Sequence, residues 1–226
     1  MPDCVAIVSG GMDSVTLLHY LVKTERRRPA VMTFRYGQKH EREIACAQYH
    51  AALLNCQPHL VADLEPLKAV FSASALVDAG IDIPDMAAVT GDPQPITYVP
   101  NRNMIFLSLA AAFAESLGVE TVYYGAQQHD LYGYWDTTPD FLERINRLLA
   151  LNRRNPARIE APFVRHSKAD ILRVGLELGV DYGQTWSCYR GGSLACGRCP
   201  TCAERLQAFA EIGISDPLPY ADAAGP

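Results

Sequence analysis

The sequence predicts an α/β fold: a parallel, doubly wound sheet with a small C-terminal helical element that binds a metal. Three observations carry that prediction. Short apolar runs alternate with segments of helical period from residue 5 to 64, a Gly-Gly pair sits where the first run gives way to the first helix, and four cysteines crowd residues 188–202. Alternating strands and helices with short connections give strands that run one way, with ligands at their carboxyl ends.

Val5 to Val8 is the first strand, and a helix follows through Val15, Leu18 and Val22. After the basic turn Lys23 to Arg28, whose charges suit a helix end, Ala30 to Phe34 is the second strand. A helix over about His40 to Leu54 carries Ile44, Ala47, Ala51 and Leu54 on one face, and His59 to Leu64 is the third strand. From 72 to 100 the periodicity fades into a Pro- and Gly-rich loop, of a length that is usually either disordered or functional, often as an active-site lid. An apolar helix from about Met104 to Leu117, capped by Asn103, leads to a strand at Val119 to Tyr124. A helix from Pro139 to Leu151 and an extended segment at Ala157 to Val164 follow. The next helix opens at Ser167, has apolar positions at Ile171, Val174, Leu176 and Leu178, and stops at Gly179. Residues 1–180 are thus expected to form a nucleotide-binding domain and residues 181–226 a cysteine-bearing element.

The first strand breaks at Ser9-Gly10-Gly11-Met12-Asp13-Ser14, between Val8 and Val15. A helix start of this kind leaves backbone N–H groups at its positive end, a ready site for phosphate. Gly10 and Gly11 can take positive φ and let a ligand approach, Ser9 and Ser14 add hydroxyls, and Asp13 suits a metal that travels with a nucleotide. The loop matches neither G-x-x-x-x-G-K-[ST] nor G-x-G-x-x-G. An ordinary capped turn is the plainer explanation, but six positions in a strand-to-helix context favour a phosphate grip.

With 226 residues, 49% of them hydrophobic, the chain can bury a sizeable core. Its net charge of -5 and isoelectric point near 5.7 oppose charge-driven nucleic-acid binding and favour a small-molecule substrate. The longest apolar stretch, Met104 to Ala114, is too short to span a bilayer, and a strand rather than a signal peptide opens the chain, so the expected compartment is the cytoplasm. Cys4, Cys46 and Cys56 are expected to be buried packing residues.

Arg35 to Gln38, including Tyr36, lies at the carboxyl end of the second strand, where ligands gather, while for Arg35 and His40 a solvated face is an equally good explanation. Arg102 beside a helix start suits a phosphate or carboxylate, or is simply a surface arginine near a cap. Asp130, Asp136 and Asp140 interleave with Tyr132, Tyr134 and Trp135. Carboxylates that accept paired N–H bonds beside aromatic faces make a base pocket; the same residues also suit a loop that covers the core and caps the next helix. Lys168 is within a helix start that can reach phosphate.

Cys188, Cys196, Cys199 and Cys202 are spaced C-x7-C-x2-C-x2-C. Four thiolates close a tetrahedral ion, so the metal is expected to be structural, and zinc rather than an iron-sulfur cluster.

Ser9 to Ser14, Phe34 to Gln38, Tyr98 to Asn103, Asp130 to Phe141, Ser167-Lys168, Trp186 to Cys188, the cysteine module and Asp216 to Tyr220 together resemble the 7-cyano-7-deazaguanine synthase (QueC) family. S-G-G-x-D-S is the signature of the PP-loop ATP pyrophosphatases, so the resemblance implies an adenine nucleotide alpha hydrolase-like fold. It also implies an ATP-dependent ligase that turns 7-carboxy-7-deazaguanine and ammonia into the nitrile, releasing AMP and pyrophosphate through adenylated carboxylate and amide intermediates. A homodimer with one zinc ion per chain is implied as well. By the same resemblance, ATP with Mg2+ falls to Val8, Ser9, Gly10, Gly11, Met12, Asp13, Ser14 and Val15, and catalysis to Asp13, Arg102 and Lys168. The acid falls to Tyr36, Gln38, Arg102, Asn103, Asp130, Tyr134 and Asp136.

The chain departs from the family pattern at three places. Asn101 replaces a glycine, Tyr134-Trp135-Asp136-Thr137-Thr138 stands where Tyr-Pro-Asp-Cys-Arg is common, and Gln128 replaces a glutamate. These departures open a second reading, in which the enzyme stops at the amide or joins the activated acid to another amine, such as one on a protein. A tRNA-modifying PP-loop enzyme is a third, disfavoured by the acidic surface.

Overall fold

β1 (Cys4–Ile7) carries Val5 to one side and Cys4 and Ala6 to the other, all fully buried, as a strand covered on both faces requires. In the computed structural model, which describes residues 1–89, 94–128 and 134–221, it is the centre of a parallel sheet with β2 (Pro29–Arg35), β3 (His59–Asp63), β4 (Thr121–Tyr123) and β5 (Arg158–Glu160). The strand order is β3-β2-β1-β4-β5, and all four pairings are parallel, with Ala6 opposite Val31 on one side and Tyr123 on the other. The chain therefore winds outward in both directions from β1, which leaves a crevice at the carboxyl ends of β1 and β4.

One face of the sheet is covered by α1 (Met12–Lys23), α2 (Arg42–Leu53), α5 (Lys168–Glu177) and α6 (Pro200–Glu211), the other by α3 (Arg102–Leu117) and α4 (Pro139–Leu149). The doubly wound prediction holds. On α5 the buried face is Ala169, Ile171, Leu172 and Gly175, whereas Leu176 is exposed. Gly175 sets this face: a Cβ there would lie 1.8 Å from the Tyr182 hydroxyl, so only glycine lets α5 close onto its neighbours.

Helix α3 starts at Arg102, two residues before the expected Met104, and its cap is Asn101 rather than Asn103. Asn101 is left-handed (φ 53°), a conformation asparagine tolerates better than other non-glycine residues. Of the extended segment expected at Ala157 to Val164, only Arg158–Glu160 pairs with the sheet, as β5. Cys4, Cys46 and Cys56 are buried as expected, and burial pushes the thiols of Cys4 and Cys56 up to about 12 and about 11. No helix among the described residues is long and apolar enough to cross a membrane.

Candidate active site

The turn after β1 is tied by its serines. Ser14 Oγ accepts from the amides of Ser9 (3.1 Å) and Gly10 (3.3 Å) and donates to Gly11 O, while Ser9 Oγ accepts from Gly11 N (3.2 Å). The loop amides expected to be free are thus held by hydroxyls. The first-turn amides of Met12, Asp13 and Ser14 are the ones a helix start leaves without intrahelical acceptors. Gly10 uses the positive φ open to glycine (97°), and a Cβ there would sit 1.8 Å from the Glu43 carbonyl; Gly11, at φ -74°, is the extended N-cap of α1 and does not use it.

This loop forms one wall of a cleft of about 250 Å³. Val8, Ser9, Gly11, Met12, Asp13 and Ser14 line it with Tyr36, Arg102, Asn103 and Lys168. Val15 is instead wholly buried in the core beneath α1, and Gly10 and Gln38 are not part of the lining. Gln38 spends its amide on scaffold, accepting from Tyr36 N (2.8 Å) and donating to Phe34 O and Glu43 Oε1, both at 3.1 Å.

Lys168 Nζ lies 3.3 Å from Asp13 Oδ2 and 3.2 Å from Glu204 Oε2. Burial pushes the Glu204 carboxyl up, and Lys168 opposes that shift. Across the cleft, Arg102 donates to the Tyr36 hydroxyl at 3.2 Å. Burial works against its charge, but Tyr36, Tyr189 and Asp136 together hold its pKa above the ordinary arginine value. A fixed cation facing a helix start across a cleft suits a doubly anionic reaction centre. Three buried polar atoms in residues lining this cleft have no protein partner: Asp13 Oδ1, His40 Nδ1 and the Tyr124 hydroxyl. Orphaned polar atoms gathered in the walls of one cleft suit a ligand that supplies their partners.

The aromatic loop divides between the two roles open to it. Tyr134 and Asp136 line a side pocket of about 50 Å³ with Tyr98, Arg102, Asn103 and Tyr189, whereas Trp135 packs edge-on against Phe141. The cap of α4 is Thr138, which accepts from Phe141 N, and no aspartate; Asp140 is exposed and paired with Arg144. Asp130 and Tyr132 lie outside the described residues. His40, open in the sequence to a solvated face, is instead buried in the cleft wall, and Glu43, Tyr124 and Glu204 line the cleft with no site role expected of them from the sequence. His40 and Glu43 follow the Tyr36-Gly37-Gln38 stretch, Tyr124 directly follows β4, and Glu204 lies in the cysteine helix, so only their places at strand ends and near the motifs pointed to them.

The Sγ atoms of Cys188, Cys196, Cys199 and Cys202 lie within 4.8 Å of one another. A tetrahedral zinc with Zn–S of about 2.3 Å needs sulfurs roughly 3.8 Å apart, and Cys196 and Cys202 are at 4.0 Å. The amide of Cys196 donates to Cys188 Sγ (3.4 Å) and that of Cys199 to Cys196 Sγ (3.3 Å), as thiolates favour. The cluster fits a metal held by four cysteines.

The family model described as "Queuosine biosynthesis protein QueC" matches residues 3–213. The chain is 44% identical over 216 residues to the 7-cyano-7-deazaguanine synthase of Caldicellulosiruptor saccharolyticus, covering 96% of this chain and 94% of that one. It is 43% identical to the enzyme of that name from Marinobacter nauticus, covering 97% and 98%. Among solved structures, it resembles in fold NMN synthetase from Francisella tularensis (TM-score 0.54, 14% identity, covering 95% of this chain and 79% of that one).

Proposed function

The chain belongs to the QueC family of queuosine biosynthesis proteins, and from that premise we propose that it converts 7-carboxy-7-deazaguanine and ammonia to 7-cyano-7-deazaguanine at the expense of ATP. A carboxylate oxygen is a poor leaving group; transfer of AMP to it supplies a better one, with pyrophosphate departing. A first round yields the amide, and a second activates the amide oxygen for loss as AMP.

The observation that carries this reading is that the diglycine loop, the Asp13–Lys168 pair and Arg102 line one cleft. In it the β and γ phosphates lie against the start of α1, and Mg2+ falls to Asp13, whose Oδ1 is otherwise unpartnered. Lys168 neutralises charge on the phosphates, Arg102 holds the acid's carboxylate, and the base enters the side pocket beside Tyr134, with Asn103 at its edge. Zinc is the metal of the four cysteines, and the family resemblance implies a cytoplasmic homodimer, which sedimentation reads directly.

The test is to incubate the protein with the carboxydeazaguanine acid, ammonium and ATP-Mg and to weigh the products. The nitrile, with AMP and pyrophosphate, is expected. Finding ADP alone ends the proposal, and an amide as final product replaces it.

A further inference from the structure

We infer that His40, oriented by Glu43, is the base that takes protons from nitrogen during carbon–nitrogen bond formation; this rests on the activity proposed above. His40 and Glu43 stand at the start of α2, beyond the carboxyl end of β2, and both line the cleft. His40 Nε2 is 3.4 Å from Glu43 Oε2, and Glu43 Oε1 accepts from Gln38 Nε2 at 3.1 Å. Gln38 is itself pinned by the backbone of Phe34 and Tyr36. The three side chains form a buried Gln-Glu-His chain, with residue exposures of 4%, 9% and 3%.

That arrangement has the logic of a base held by a third group. A carboxylate beside one ring nitrogen, here at an ion-pair distance of 3.4 Å, favours the proton on that nitrogen and leaves the other as an acceptor. In His40 this other atom, Nδ1, is buried and has no protein partner. The chain also adjoins the phosphate loop, since the Glu43 carbonyl packs directly on Gly10. Tyr189, which lines both the cleft and the side pocket, lies with its ring 5.6 Å from that of His40.

The chemistry needs such a group. Ammonia attacks the acyl carbon of the adenylate with its lone pair, the carbon–oxygen bond to AMP breaks, and that electron pair leaves on the phosphate oxygen. The new nitrogen then carries a positive charge and gives one proton to His40, while Glu43 stabilises the imidazolium. In the second round the adenylated amide loses AMP as the carbon–nitrogen triple bond forms, and its two N–H protons leave in turn by the same route, each passed on to water.

Acid-dependent ATP–pyrophosphate exchange reads adenylation, and mass spectrometry of amide and nitrile reads the later steps. His40→Ala is expected to slow amide formation by about 100-fold or more while exchange falls by less than about fivefold, and added imidazole is expected to restore part of the amide rate. His40→Gln, of similar reach and polarity, is the second variant should the first fold poorly. Glu43→Gln is expected to slow amide formation about tenfold without imidazole rescue. Exchange and amide formation falling in parallel in both His40 variants overturns the inference alone. Absence of exchange in the unaltered protein overturns the proposed activity, and this inference with it.

Discussion

Asp136 is buried against Asn103, in the first turn of α3, and the two line one side pocket with Arg102. Asp136 therefore supplies from outside the helix the anion that a helix start favours. Burial pushes its carboxyl up, and Arg102 and Asn103 pull against that shift.

Asp136→Asn is accordingly expected to act through position. Helix α3 loses about 1 kcal/mol of capping, Arg102 loses a charged neighbour, and kcat/KM for the acid falls roughly tenfold, mainly in KM. A residue that itself hydrogen-bonds the base would cost about 10⁴-fold when disabled. Steady-state kinetics with a thermal melt decides between the two, and a loss of that larger size would return Asp136 to the base-reading role.

This pair shows where sequence reading stops. Val5 to Val8, the diglycine turn and the four cysteines announce themselves locally, because strand period, turn chemistry and thiolate spacing are short-range facts. The Asp136–Asn103 pairing brings together residues 33 positions apart and depends on how the loop folds back over α3. Gln38 and Glu204 mislead or hide for the same reason: Gln38 has its amide taken up by Phe34, Tyr36 and Glu43, and Glu204 reaches the cleft only because α6 lies beside α5.

A second prediction concerns acid stability. His50 Nε2 faces the Gln184 carbonyl at 3.2 Å and must carry the hydrogen there, so its Nδ1 accepts from His19 Nε2 at 3.0 Å, and His19 Nδ1 is left as a buried bare acceptor. Both rings are therefore neutral. Burial, with help from Lys23 and His50, lowers His19 to about 4; burial and Lys23 also lower His50, against the Gln184 carbonyl and Asp181. Because the folded values lie below the unfolded one, stability is complete above about pH 6.5 and is lost as pH falls toward 4, by roughly 3 kcal/mol at most for His19. Urea unfolding at pH 7.5 and 4.5 should show this drop shrinking in His19→Asn; an unchanged drop refutes the assignment.

A third prediction follows from Arg205 and Asp216, at 1% and 0% side-chain exposure. Nε and an Nη of Arg205 donate to the two carboxylate oxygens at 2.7 and 2.9 Å, and Tyr220 donates to the same carboxylate at 2.5 Å. Arg205 also reaches Thr185 Oγ1 and Tyr182 O, tying α6 and the C-terminal segment to the turn before the cysteines. Arg205→Ala leaves a buried carboxylate uncompensated and is expected to cost about 3–5 kcal/mol in urea unfolding, whereas the double change Arg205→Met with Asp216→Leu should recover part of it. Additive losses in the double variant would show that the two groups do not act as a pair.

Removing the metal proposed for the four cysteines should weaken the proposed nucleotide binding as well as the fold, because the cysteine cluster is wired to the diglycine loop along two routes. Trp186 donates its backbone N–H to Gly10 O and its indole N–H to Cys188 O, both at 3.1 Å, and Arg42 stacks 4.2 Å from its ring. On the other side, Cys199 caps α6, whose Glu204 holds Lys168, which in turn holds Asp13. Loss of four metal–thiolate bonds frees both tethers at once. Protein stripped with a chelator is expected to bind ATP at least about tenfold more weakly by calorimetry, an effect of roughly 1.4 kcal/mol, and to regain affinity on addition of zinc. Trp186→Phe, which keeps the apolar ring but not the indole bond, should retain its metal and lose only a fewfold in affinity. Unchanged ATP affinity in metal-free protein that still shows its native circular dichroism would mean that the phosphate loop holds its shape without the knot.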